Sequence, residues 1–173
     1  MLDSRLSEIR DEVNRLAAVV GAHPSQLPTY GSSLDFARPH IEVHDDNYHW
    51  VVVERGHEAD RRVFTSLDDL LYQVFSSVTF ALATDWELRH RTADADSRRE
   101  LFRRQEELLA QLDQSWAHRE RVRHEEILRS HPFDDSSGAR VALSLRLRAE
   151  GLPADVAWRR ACKSLPLPRT PGQ

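Results

Sequence analysis

The sequence predicts an α+β fold: a small antiparallel meander of about three strands, covered by a helical bundle of about five to six helices. Three observations carry that prediction. Residues 40–44 alternate polar and apolar side chains, and residues 48–54 are dense in aromatic and β-branched ones, as strands are. Elsewhere apolar residues recur three to four apart, the spacing that lines one face of a helix. A meander of so few strands has one face to bury, and an apolar helix is its natural cover.

The elements follow in order. Leu6, Ile9, Val13, Leu16, Val19 and Val20 predict a first helix over 3–20, with Gly21 as its stop. Residues 23–38, rich in Pro, Ser, Gly and Thr, read as a loop. Strands over 40–44 and 48–54 flank Asp45, Asp46 and Asn47, residue types that tolerate turn conformations. Gly56 marks a second turn before a third strand over 61–65. Ser66 caps a long helix whose first turn holds Asp68 and Asp69, where the helix dipole favours acids. Its stripe is Leu67, Leu70, Leu71, Val74, Phe75, Val78 and Leu82. A third helix carries Leu101, Phe102, Leu108, Leu109 and Leu112, and a fourth starts near Trp116 and ends before His131. Two more fit 139–150 and 153–164, parted by Gly151. By spacing, Trp86 and Trp158 are expected in the core and Trp116 as a helix-start anchor.

The 173 residues are read as one domain over 1–165 with a loose tail over 166–173. Hydrophobic residues make up 40% and charged residues 30%, a globular balance. No apolar run reaches the roughly 18 residues that a membrane span needs, so no membrane partner is expected. No apolar stretch near Met1 reads as a signal peptide, and the single Cys162 cannot form an internal disulfide. Both point to the cytoplasm. The net charge of −4 is small, but it is unevenly spread. Over residues 35–69 nine acids outnumber four arginines, and from 138 onward seven basic residues outnumber two acids. An acidic surface can steer a basic partner toward itself.

His40, Glu42 and His44 form the sharpest chemical cluster. On a strand they project from one face, about 7 Å from one to the next, with His49 on the neighbouring strand. Two imidazoles and a carboxylate can hold zinc. The bland alternative is the wet face of a half-buried sheet, because Ile41 and Val43 take the opposite face. Glu120 and His124, like Arg121 and Glu125, stand four apart on a helix and read as solvent-exposed ion pairs. The stretch from His124 opens like a zinc-protease motif, but Leu128 stands where the second ligand belongs. Arg98, Arg99, Arg103 and Arg104 interleave with Glu100, Glu106 and Glu107, a balanced solvated face that predicts no nucleic-acid partner. There is no glycine-rich phosphate loop and no Gly-x-Ser-x-Gly elbow, so the expectation is no enzyme, no cofactor and no metal.

Several runs resemble the immunity protein 63 family of bacterial polymorphic toxin systems. They are Leu27-Pro-Thr-Tyr-Gly31, Ala37-Arg-Pro-His-Ile-Glu-Val43 and Tyr48-His-Trp-Val-Val-Val-Glu-Arg-Gly56. The resemblance continues through 68–83, 120–128, 131–135, 151–158 and 166–168. It implies an immunity protein that binds and neutralises a cognate polymorphic toxin domain in the cytoplasm, its partner being the toxin's C-terminal domain. It carries no catalytic residues over. The expected toxin contact is the acidic hairpin: His40, Glu42, His44, Asp45, Asp46, His49, Glu54 and Arg55. Two other readings stand beside it. One is a metal-dependent hydrolase using His40, Glu42 and His44; the other is a protein-interaction module unrelated to toxins.

Overall fold

The computed structural model describes residues 4–35, 37–92 and 94–169. Asp3, expected to open the first helix, and the end of the expected tail, 170–173, lie outside the described residues. The architecture is α+β, with six α-helices and one four-stranded sheet among the described residues. In chain order these are α1 (Ser4–Val20), β1 (Thr29–Tyr30), β2 (Pro39–His44), β3 (Asn47–Glu54), β4 (His57–Phe64) and α2 (Leu67–His90). They continue as α3 (Arg98–Leu112), α4 (Gln114–Ser130), α5 (Ser137–Ala149) and α6 (Ala154–Ser164).

The sheet has four strands in the order β1-β2-β3-β4, one more than expected. The addition is β1, which pairs parallel to β2 through Thr29↔His40 and Tyr30↔Ile41 and makes the sheet mixed. It lies in the stretch read as loop; two residues between Pro28 and Gly31 are too few to show a period. β2, β3 and β4 form the expected antiparallel meander, and β4 is longer than the predicted third strand.

The chain divides into two compact units. The first takes in the residues up to Leu82 together with Glu107–Ala117. Its core is apolar. The sheet contributes the cross-strand pair Ile41 and Trp50, and α1 contributes Leu6, Ile9, Val13 and Leu16. α2 adds Leu70, Leu71, Val74, Phe75 and Val78. Burying each such side chain is worth about 1.5–3 kcal/mol. Ser66 Oγ accepts the N–H of Asp69 at 3.2 Å, the expected cap of α2. Trp116 is 4% exposed, stacks on Phe75, and donates its indole N–H to Asp68 at 2.9 Å. It is the anchor the sequence suggested.

The second unit takes in Ala83–Glu106 and the chain from His118. Apart from Phe102, its buried set is small or polar: Ala83, Glu87, Gln105, Glu120, His124, Arg140, Ser144, Ala157 and Ala161. Three expectations fail here. Glu120 and His124 are buried rather than solvent-exposed. His124 stacks flat on Phe102 at 3.8 Å, and its ring nitrogens lie 2.8 Å from Glu106 and 3.2 Å from Gln105. Trp158, expected in the core, is 42% exposed, because α6 turns Ala157 and Ala161 inward instead. Trp86, also expected in the core, is half-buried and stacks on His90 at 4.1 Å.

Candidate functional site

The candidate face is built on two tight turns. Asp45 and Asp46 join β2 to β3 with φ of 47° and 67°, closed by the pair His44↔Asn47. Two-residue hairpin loops need this left-handed backbone because it matches the twist of the strands, and Asp tolerates it better than most residues. Arg55 and Gly56, at φ 53° and 76°, join β3 to β4 in the same way.

Between the turns, alternation places His40, Glu42 and His44 on one side of β2, and the register sets Glu42 opposite His49 on β3. Glu42 is the hub. His40 Nε2 lies 2.9 Å from one carboxylate oxygen, and His44 Nε2 lies 3.1 Å from the other. Arg61 on β4 donates to Glu42 at 2.8 Å across the width of β3, and to Glu58 at 2.7 Å. The His44 and His49 rings meet edge to face at 5.1 Å.

Burial alone would raise the Glu42 carboxyl, but hydrogen bonds from Arg61, His40 and His44 outweigh it and hold the group at about 2. Arg61 is raised by its bonds to Glu58 and Glu42. His49 is lowered, first by desolvation and then by the nearby Arg61 charge. The imidazoles turn toward Glu42 rather than toward a shared vacant point. Among the described residues no three His, Cys, Asp or Glu side chains are arranged to hold a metal ion.

The structure thus gathers His40, Glu42, His44 and His49, with Asp45 and Asp46 at the near end. Glu54 and Arg55 sit at the far turn, roughly 23 Å along β3, beside a hollow of about 360 Å3 shared with Asp35 and Ala37. His40 is only 3% exposed, so it braces Glu42 from within the sheet. Arg61 and Glu58 are members that sequence reasoning missed. Glu58 lies outside the strand predicted over 61–65, and Arg61 is brought to the site by a bulge opposite Val52 and Val53. Continued regularly from Glu54↔His57, the ladder would set Asp60 opposite Val51. The bulge advances β4 by one residue and puts Arg61 there instead.

A second concavity, of about 690 Å3, lies within the second unit and is lined by Arg91, Asp94, Asp96, Arg98, Asp134 and Ser137 among others. Two of its three acids are engaged: Arg98 holds Asp96 at 2.6 Å and Arg140 holds Asp134 at 2.7 Å. These are bonds that fasten a loop rather than groups left open for a ligand.

No curated protein matches the chain, and no solved structure does. Residues 45–126, just under half of the chain, match the family model described as Immunity protein 63. The matched stretch includes Asp45, Asp46, His49, Glu54, Arg55, Glu58 and Arg61, and begins just after His40, Glu42 and His44. The match supports the family that the sequence resembles, immunity protein 63.

Proposed function

We propose that this protein binds and neutralises a cognate polymorphic toxin domain in the cytoplasm, as a stoichiometric partner without turnover of its own. The family match over residues 45–126 carries the reading. Two features of the chain support it. Among the described residues no helix is long and apolar enough to cross a membrane. The hairpin also presents a polar face whose tip, Asp45 and Asp46, is exposed.

The proposed contact comprises Asp45, Asp46, His44, His49 and Glu42, braced by His40, with Glu54 and Arg55 at the far turn. Glu42 is already committed to Arg61, whereas the acids of the turn are exposed, Asp46 holding only a surface pair with Arg5, so they are the ones an arginine-rich toxin surface can reach. Such charges act mainly on the rate of encounter. The test is co-purification with the C-terminal domain of a cognate polymorphic toxin, followed by rescue from its toxicity. A stable complex with rescue is expected. Asp45→Lys with Asp46→Lys is expected to slow association by about tenfold or more, the scale of electrostatic steering. Unchanged association would remove the turn from the interface.

A further inference from the structure

The two edges of the sheet differ. At one edge β1 is two residues long, short enough to be a poor template for another strand. At the other, β4 runs eight residues, six of them exposed, and among the described residues no further strand pairs with it. In an antiparallel ladder every second residue turns its N–H and C=O away from its neighbour. The two-residue turn at Arg55 and Gly56 makes Glu54 and His57 a bonded pair. Carried through the bulge, that phase points Asp60, Arg62 and Phe64 at β3, and turns the backbone of Arg61 and Val63 outward.

Proteins blunt such edges with proline, lysine, charges aimed along the edge, or bulges. β4 has neither proline nor lysine. Its bulge lies at the turn end and leaves Asp60–Phe64 in regular register. Its two arginines also withdraw from the edge. Arg61 folds back over β3 to Glu42, and Arg62 folds beneath to Gln73 on α2 at 3.0 Å. What remains at the edge is bare backbone beside Val63, which is 54% exposed.

Building on the immunity reading, we propose that the toxin docks by adding an extended strand to the free edge of β4, bonded to the outward backbone of Arg61 and Val63. Strand addition takes its affinity from main-chain hydrogen bonds and its specificity from alternate side chains. Arg61 and Val63 share the sheet face of His49 and Glu42, because Val63 pairs with His49 and Arg61 with Val51. An added strand therefore continues the same polar face toward the toxin. A second copy of this chain fits the edge less well. Twofold antiparallel pairing pivots on a residue, and the two registers nearest full overlap set Asp60 or Arg61 against its own copy. Like charges directly opposite are destabilising.

The experiment is hydrogen exchange and binding on the full chain, with the catalytically inactivated cognate toxin domain as the probe. The amides of Arg61 and Val63 are expected to exchange more slowly in the complex. Val63→Pro removes an outward N–H, the one position type where an edge strand tolerates proline. It is expected to weaken binding by about tenfold or more, while Val63→Thr stays within about threefold of the parent. A complex that forms with both amides exchanging at their free rates overturns strand addition and leaves the immunity reading standing. If Val63→Pro does not fold, the exchange rates of the unaltered chain still decide. No complex and no rescue overturns both. A free dimer that Val63→Pro dissociates assigns the edge to a second copy and overturns the proposal.

Discussion

The two compact units are stabilised by different physics. The first buries an apolar cluster and keeps its polar network on one face of a sheet, with His44 60% exposed and Arg61 33% exposed at their side chains. The second buries its polar groups outright. Arg140 is 1% exposed and uses both terminal nitrogens on Asp134, at 2.7 and 3.0 Å. The same guanidinium donates to the carbonyls of Leu165 and Pro166, at 2.8 and 3.0 Å, and so ties α5 to the end of α6. An arginine gripping a carboxylate is common to both units. Burial separates the two: inside, the guanidinium is sealed from water, while on the sheet solvent reaches it.

The largest expected effect tests the inside of that comparison. Arg140→Met leaves Asp134 and two carbonyls without their donor, and breaking a buried pair from one side costs about 3–5 kcal/mol. Urea unfolding measures it. A loss below about 1 kcal/mol would mean that water replaces the guanidinium, and the second unit would then need another source of stability.

Glu42→Ala is the matching change on the sheet, expected to cost about 1–2 kcal/mol because Arg61 keeps Glu58 and solvent can reach the site. The sign of its pH dependence follows from the direction of the shift. The Glu42 carboxyl is lowered from 4.5 to about 2 by folding, so its contribution is complete above the unfolded value and is lost as pH falls toward 2. His49 acts in the same sense at higher pH: its lowered value favours the neutral ring, so stability declines as pH drops through the ordinary histidine range. Asp96, held at about 2 by Arg98 and by backbone N–H groups despite partial burial, shares the acid limb from the other unit. Glu42→Gln should flatten that limb in part, and Asp96→Asn, at a carboxyl lowered from 3.8 to about 2, should flatten somewhat less of it. Stability measured from pH 5 down to pH 2 reads both. A limb unchanged by Glu42→Gln would place the acid sensitivity in other carboxylates, Asp96 among them.

How much of this was legible follows the same division. The first unit announces itself in periodicity: α1, α2, β2 and β3 stand where apolar spacing and alternation place them, since each shows one face to an apolar core. The second hides its logic. A buried Glu120 and His124 share their spacing with an exposed ion pair, and only the flat contact with Phe102 separates the two. Trp158 is exposed because two alanines approach closely where a large ring was expected. The candidate face was legible in β2 and at the first turn. Arg61 was not, since a one-residue bulge carries no signature in composition yet exchanges which side chains face outward.

The smallest effect concerns the turn itself. Asp45 and Asp46 both hold left-handed backbone, a conformation in which Asn followed by Gly is the better pair. Changing Asp45→Asn together with Asp46→Gly is expected to raise stability by a few tenths of a kcal/mol. The lost ion pair between Asp46 and Arg5 subtracts little, because Asp46 is 86% exposed at its side chain. The same double change removes both acids of the tip, so it should slow association with the toxin domain while stabilising the free protein. A thermal melt and an association rate together separate the two roles. Higher stability with slower binding means that the turn keeps its acids for a partner and gives up turn geometry for them. Higher stability with unchanged binding would leave those acids without a role and move the interface along the sheet, to Glu42, His49 and the edge of β4.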